Sequence, residues 1–267
     1  VFQTIINQFP PHRVYIEPFV GGGNVFERKA PAASSVLADL DRAVVETWRR
    51  NCAGRAGVEV LHANALDLLS SYQWEGDELV YLDPPYVLET RKPGGQELYR
   101  FEMSDEEHRR LLDLAASIPA MVAISGYRCA LYDDASSRYG WRRVDFKAMT
   151  RRGLRTESLW MNYPAPAALA DYGYAGSNFR ERERIKRKAA RWVRRWEQLP
   201  AIERGAILSA MRDRGIIGAD GGAVPASTSA GAGDGVPPAE AARAPGDTGG
   251  DGGARSPEAS SLQALLL

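Results

Sequence analysis

The sequence has 267 residues, 44% of them hydrophobic, enough for one domain with a sizeable core plus an appendage. Its 34 Lys and Arg balance 34 Asp and Glu, so overall charge gives no case for a nucleic-acid partner, and any such case must come from where the charges sit. Two cysteines (Cys52, Cys129) and three histidines (His12, His62, His108), with no C-x-x-C or H-E-x-x-H, argue against a disulfide framework and against any metal site, and no apolar run approaches the roughly 20 residues of a membrane span.

In chain order, strand-like runs alternate with helical stretches. Arg13–Glu17 is a short β-branched and aromatic run that ends at Pro18 and a glycine turn, itself expected to lead into a helix. Ser35–Asp39 is a second strand, followed by a helix over Arg42–Asn51, and Val58–Leu61 is a third strand. Glu78–Leu82 is a fourth, closing on an acid and two prolines. A helix over 104–117 follows, where Ser104 and Glu107 form a capping-box signature; His108 is expected on a face of this helix without a chemical role. Met121–Ser125, Arg143–Phe146 and Glu157–Met161 are three further strands. This alternation predicts an α/β layered fold with a mostly parallel sheet over residues 1–165.

The composition changes near Tyr172. Nine of the 17 residues from Arg180 to Trp196 are Arg or Lys, which predicts a basic helical extension over 176–215. It is either a phosphate-binding surface or a solvated helix packed by its tryptophans on the core. From Gly218 to Ser260 the chain is Gly, Ala, Pro, Ser and Asp with almost no large apolar residues, so 218–267 is expected to be a disordered tail.

Two motifs carry chemistry. The first is Glu17-Pro18-Phe19-Val20-Gly21-Gly22-Gly23-Asn24, directly after the first strand. Ligands of an open α/β sheet sit beyond the carboxyl ends of its strands, and glycines let the backbone approach them closely. Asp39, at the end of the second strand, is placed to hydrogen-bond ribose hydroxyls. Position 26 is Phe26, so the G-x-G-x-x-G spacing of a nicotinamide site is broken. The turn suits S-adenosylmethionine, which has no pyrophosphate to cradle. The second motif is Asp83-Pro84-Pro85-Tyr86, after the fourth strand. An aryl amine is a poor nucleophile because its lone pair is delocalised into the ring. Two acceptors on its hydrogens, the Asp83 carboxylate and the Pro84 carbonyl, would draw the nitrogen toward tetrahedral geometry. Pro85 stiffens the turn, and Tyr86 offers a ring on which an extruded base can stack.

Together these motifs resemble the Dam-type adenine-N6 DNA methyltransferases over roughly residues 9–163. Further matches are Leu37–Asp41, Glu106-Glu107-His108, Ile124–Tyr127, Leu131-Tyr132 and Thr156–Asn162. The resemblance implies a Rossmann-like S-adenosylmethionine-dependent methyltransferase fold, a mostly parallel seven-stranded sheet with helices on both faces. It implies that Glu17, Pro18, Phe19, Gly21, Gly23, Asp39 and Asn64 bind the cofactor, and that Asp83, Pro84, Pro85 and Tyr86 hold a flipped adenine. Asn64 stands where the family often has Asp. The implied partner is double-stranded DNA, met by a cytoplasmic monomer in a bacterial cell or phage-infected host, in some settings beside a companion restriction enzyme.

The family's Tyr-Pro-Gly-x-Lys-like segment has no counterpart ahead of Val1-Phe2-Gln3, so the cofactor pocket is expected to be incomplete. With only about 60 residues between the two motifs there is no room for an inserted recognition domain. Val87–Met103, containing Arg91, Lys92 and Arg100, is the candidate recognition loop, and Arg151, Arg152 and Arg155 form a second basic cluster in a loop before the last strand. The acid-Pro-Pro-aromatic motif also serves other planar amines, which leaves an RNA or protein amine open as substrate. A non-catalytic DNA-binding relic is the reading from a different class.

Overall fold

The computed structural model describes residues 1–90, 100–150 and 153–218. In chain order its elements are α1 (Phe2–Ile6), β1 (Val14–Glu17), β2 (Ser34–Asp39), α2 (Arg42–Asn51), β3 (Val58–His62), α3 (Ala65–Ser71), β4 (Glu78–Leu82), α4 (Asp105–Ser117), β5 (Met121–Gly126), α5 (Ala130–Tyr139), β6 (Arg142–Thr150), β7 (Gly153–Met161), α6 (Phe179–Gln198) and α7 (Ala201–Asp213). The strands form a seven-stranded sheet in the order β3-β2-β1-β4-β5-β7-β6. β1 to β5 run parallel; β7 is antiparallel to β5, and β6 to β7. This is the mostly parallel, Rossmann-like α/β fold that the sequence predicts.

Strands β1 and β4 are buried along their whole length, as parallel strands covered on both faces should be. Their side chains alternate between two cores. Val14, Ile16, Val80 and Leu82 pack with Leu66 and Leu69 of α3, Leu111 and Leu112 of α4, and Tyr132 of α5. Tyr15, Leu79 and Tyr81 pack on the opposite face with Ile5 and Ile6 of α1 and Trp48 of α2. Helices therefore cover both faces.

Local signals set the helix starts. The Asp41 side chain caps α2 by accepting from Ala43 N–H. Ser104 and Glu107 form the reciprocal capping box of α4. His108 of that helix is fully buried, with Nδ1 3.0 Å from the Tyr132 hydroxyl, because its position falls on the stripe shared by Leu111, Leu112 and Ala115.

Two local expectations need correction. No helix follows the glycine turn: Gly21–Lys29 is a succession of turns, with isolated bonds such as Glu27 N–H to Gly23 O and Lys29 N–H to Val25 O, and Val25 and Phe26 are drawn into the core instead. Arg155 lies inside β7, not in a loop, because β6 and β7 extend beyond the predicted strands to a register that pairs Thr150 with Gly153. Helices α1, α3 and α5 were not predicted.

Helices α6 and α7 form the basic extension, joined at Leu199-Pro200, and neither buries a residue. Trp192 is 57% exposed, so it does not pin α6 to the core. At about 100° per residue, Arg180, Arg184, Arg187, Arg191 and Arg194 share one face of α6, and Ile185, Ala189, Trp192 and Trp196 the other. The predicted disordered tail lies outside the described residues apart from Gly218. No helix among the described residues is long and apolar enough to cross a membrane.

Candidate active site

From β1 the sheet grows one way to β2 and β3 and the other way to β4 and β5. The crevice beyond the carboxyl ends of β1 and β4 is thus the topological switch point, where such sheets bind ligands. An open pocket of about 230 Å³ lies there. Pro18, Phe19, Gly21, Asp39, Asn64, Asp83 and Pro85 line it, drawing on β1, β2, β3 and β4 ends that are far apart in sequence.

The glycine turn is held from two sides. Gly21 N–H donates to Asp39 Oδ2 at 2.9 Å, and the Gly21 carbonyl accepts from Trp48 Nε1 at 2.9 Å. Gly23 has φ +58°, and a Cβ there would overlap the Trp48 indole, so only glycine fits. Asp39 Oδ1 accepts from Asp41 N–H at 2.8 Å. Each carboxylate oxygen has a second lone pair, so Asp39 can anchor the turn and still accept from a diol in the pocket. Asn64 caps α3, its Oδ1 accepting from Leu66 N–H at 2.8 Å, which leaves its amide nitrogen as the group to offer a ligand.

At the other end, Asp83 follows β4. Its Oδ1 accepts from Ser125 Oγ at 2.8 Å. Asp83 is open to the pocket. The protein packed around its carboxyl nevertheless raises its pKa, opposed by hydrogen bonds from Ser125 and Tyr86. Pro84 is buried behind it. Tyr86 is half-buried and meets Tyr127 edge-on, ring centroids 4.6 Å apart. The Arg155 guanidinium lies 4.0 Å from the Tyr127 ring centroid and donates to Thr90 O at 3.0 Å, tying the β6–β7 hairpin to the segment after the Asp-Pro-Pro-Tyr turn.

Glu17 does not line the pocket. It is 2% exposed and its carboxyl accepts from Tyr15 Oη at 2.7 Å. Burial drives its pKa up to about 8, with the Tyr15 hydrogen bond opposing and the Asp83 charge adding. Lys29, 7% exposed over the Tyr15 ring, is pushed down to about 8 by burial, against the pull of Glu17. Gly23, Pro84 and Tyr86 are not among the residues that line this pocket either. Arg91, Lys92, Arg151 and Arg152 lie outside the described residues.

Phe101, Glu102 and Met103, within the segment read as a recognition loop, also line the pocket; Leu40, Asp41, Val44, Leu66 and Glu107 line it too and were not read as site residues. Arg100, read as part of the recognition loop, lines the pocket and pairs with Asp41 at 3.2 Å. Among the described residues no group of three His, Cys, Asp or Glu could hold a metal.

No protein-family model and no curated protein matches the chain. Solved structures do. TrmN from Thermus thermophilus is 17% identical over 60% of this chain and 46% of its own, with TM-score 0.43. The N-terminal domain of human METTL16, in complex with SAH, is 11% identical over 57% of this chain and 62% of its own, with TM-score 0.41. The 23S rRNA methyltransferase ErmE is 15% identical over 84% of this chain and 89% of its own, with TM-score 0.40. Likenesses this distant say nothing of this chain's substrate, and the functional reading rests on the pocket itself.

Proposed function

We propose that this chain is an S-adenosylmethionine-dependent methyltransferase acting on the N6 amine of an adenine flipped out of duplex DNA. The observation that carries the proposal is that Asp83 and the Gly21–Asp39 pair, separated in sequence, open on one pocket at the switch point. A carboxylate able to receive an amine thus stands beside a diol acceptor and a glycine turn.

The residues fit the cofactor. Asp39 has lone pairs left for ribose hydroxyls, Asn64 has an amide nitrogen for an adenine ring acceptor, and Phe19 and Gly21 bound the part of the pocket nearest β1. When bound, S-adenosylmethionine supplies an electrophilic methyl group on a sulfonium. Asp83 accepts one amine hydrogen and the Pro84 carbonyl the other. This localises the nitrogen lone pair, and Asp83 relays the proton released as the amine is alkylated. Tyr86 stacks on the extruded base at a gain of roughly 1–3 kcal/mol. The choice of DNA rests on the resemblance over residues 9–163, and the arginine face of α6 supplies phosphate contacts.

Asp83→Ala tests the assignment. It should reduce methyl transfer by about 100-fold or more while binding of duplex DNA and of cofactor persists. Transfer at the wild-type rate in this variant overturns the role of Asp83. Transfer to RNA in place of duplex DNA overturns the choice of polymer.

A further inference from the structure

We infer that Ser125, backed by Tyr81, is a positioning residue that fixes which oxygen of Asp83 is presented to the target amine. The inference rests on the proposed role of Asp83. It is carried by a short hydrogen-bonded chain beneath the pocket.

Ser125 lies on β5 directly beside the end of β4, where Leu82 pairs with Ile124 in the parallel register. Its hydroxyl is 2.8 Å from Asp83 Oδ1 and 3.3 Å from the Leu82 carbonyl. A hydroxyl has one proton, and the charged, nearer acceptor takes it. Tyr81 Oη lies 2.9 Å from Ser125 Oγ. With the serine proton committed to Asp83, Tyr81 must be the donor in that contact. The chain therefore has one direction, from Tyr81 to Ser125 to Asp83. Both hydroxyl residues are buried, Ser125 at 1% and Tyr81 at 2% exposure, so water does not compete for the contacts.

Two consequences follow. Oδ1 is held inward by Ser125, which turns the other face of the carboxylate toward the pocket. The directed dipoles also favour the ionised form, the form able to accept from an amine, against the surroundings that oppose it. Those surroundings are the protein packed around the carboxyl and the acids Glu17 at the end of β1 and Glu157 on β7; Tyr86, like Ser125, hydrogen-bonds the carboxylate and favours its charge, and the Tyr15, Tyr81 and Tyr132 hydroxyls also lie within electrostatic reach of it. Ser125 and Tyr81 are buried on central strands of the sheet, where a hydroxyl needs a partner.

The test uses Ser125→Ala, Ser125→Thr and Tyr81→Phe in the full chain, each first checked for folding by circular dichroism. Two measurements are made. One is methyl transfer to duplex DNA against pH, with kcat and KM separated. The other is titration of the Asp83 carboxyl by carbon NMR, which needs no activity. Ser125→Ala should lower kcat about tenfold or more, with KM for cofactor and DNA nearly unchanged, and move the acid limb of the rate profile upward. Ser125→Thr, which keeps the hydroxyl, should restore both. Tyr81→Phe should act in the same direction with a smaller effect, and it keeps the test open if the serine variant does not fold. The NMR titration of Asp83 should move upward in Ser125→Ala. An unmoved titration in both Ser125→Ala and Tyr81→Phe overturns the inference. A moved titration alongside a wild-type chain that transfers no methyl supports the positioning of Asp83 and overturns the proposed reaction.

Discussion

The Trp48 indole closes the glycine turn from below: its Nε1 donates to the Gly21 carbonyl at 2.9 Å while its six-membered ring fills the space a Cβ on Gly23 would need. A helix two elements along thus holds the cofactor side of the pocket in shape. Gly23→Ala should be doubly unfavourable, through the positive φ and through the overlap with the indole. The fold should lose about 1–3 kcal/mol or more, read by urea unfolding, and cofactor affinity should fall with it. Unchanged stability would mean the turn can be rebuilt without the glycine.

Asp39 has two jobs that a substitution can separate. Asp39→Ala removes both the anchor of Gly21 and the acceptor for a ribose diol, and cofactor binding should weaken about tenfold or more by calorimetry. Asp39→Asn keeps one acceptor oxygen and should fall between. Duplex DNA binding should be untouched by either.

Buried Glu17 gives the fold a pH signature. In the folded state it keeps its proton to about pH 8, whereas an ordinary glutamate loses it near 4.5. Between those values the folded state holds more protons than the unfolded chain, so stability falls as pH rises. This contribution is complete below 4.5 and gone once pH has passed about 8. Lys29 acts in the next window. Its folded pKa drops from 10.5 to about 8, the unfolded chain holds more protons between them, and stability recovers as pH rises. Glu17→Gln, which keeps a partner for the Tyr15 hydroxyl, should flatten the decline from about pH 5 to pH 8 in urea midpoints. A decline of the same size in that variant would place its origin elsewhere.

The arginine face of α6 predicts a salt effect. Replacing Arg184, Arg187, Arg191 and Arg194 together by Gln should weaken DNA binding and reduce the slope of log affinity against log salt by about 0.9 for each phosphate no longer neutralised. Cofactor binding should not change. An unchanged slope would assign the face to another partner.

The sheet was legible because its strands are apolar runs closed by Glu17, Asp39 and the Asp83-Pro84-Pro85 turn, signals that survive without any tertiary information. The switch point followed, and with it the shared address of the two motifs. Helix α5 was not legible. Only Tyr132 and Ala135 of its ten residues are buried, and the rest of Ala130–Tyr139 is polar enough to read as loop. Phe101–Met103 was legible as part of a loop beside the base pocket but not as lining of this pocket, because no periodicity or motif marks which residues of a loop turn inward. Glu17 was legible as an acid next to the glycine turn but not as a buried one, because the ring that takes up its carboxyl, Tyr15, sits two residues earlier on the same face of β1.

The most direct measurement is transfer of labelled methyl from S-adenosylmethionine to unmethylated duplex DNA, followed by nucleoside analysis. Label is expected on the N6 amine of adenine. A chain that binds the cofactor and duplex DNA yet leaves the DNA unlabelled would contradict it.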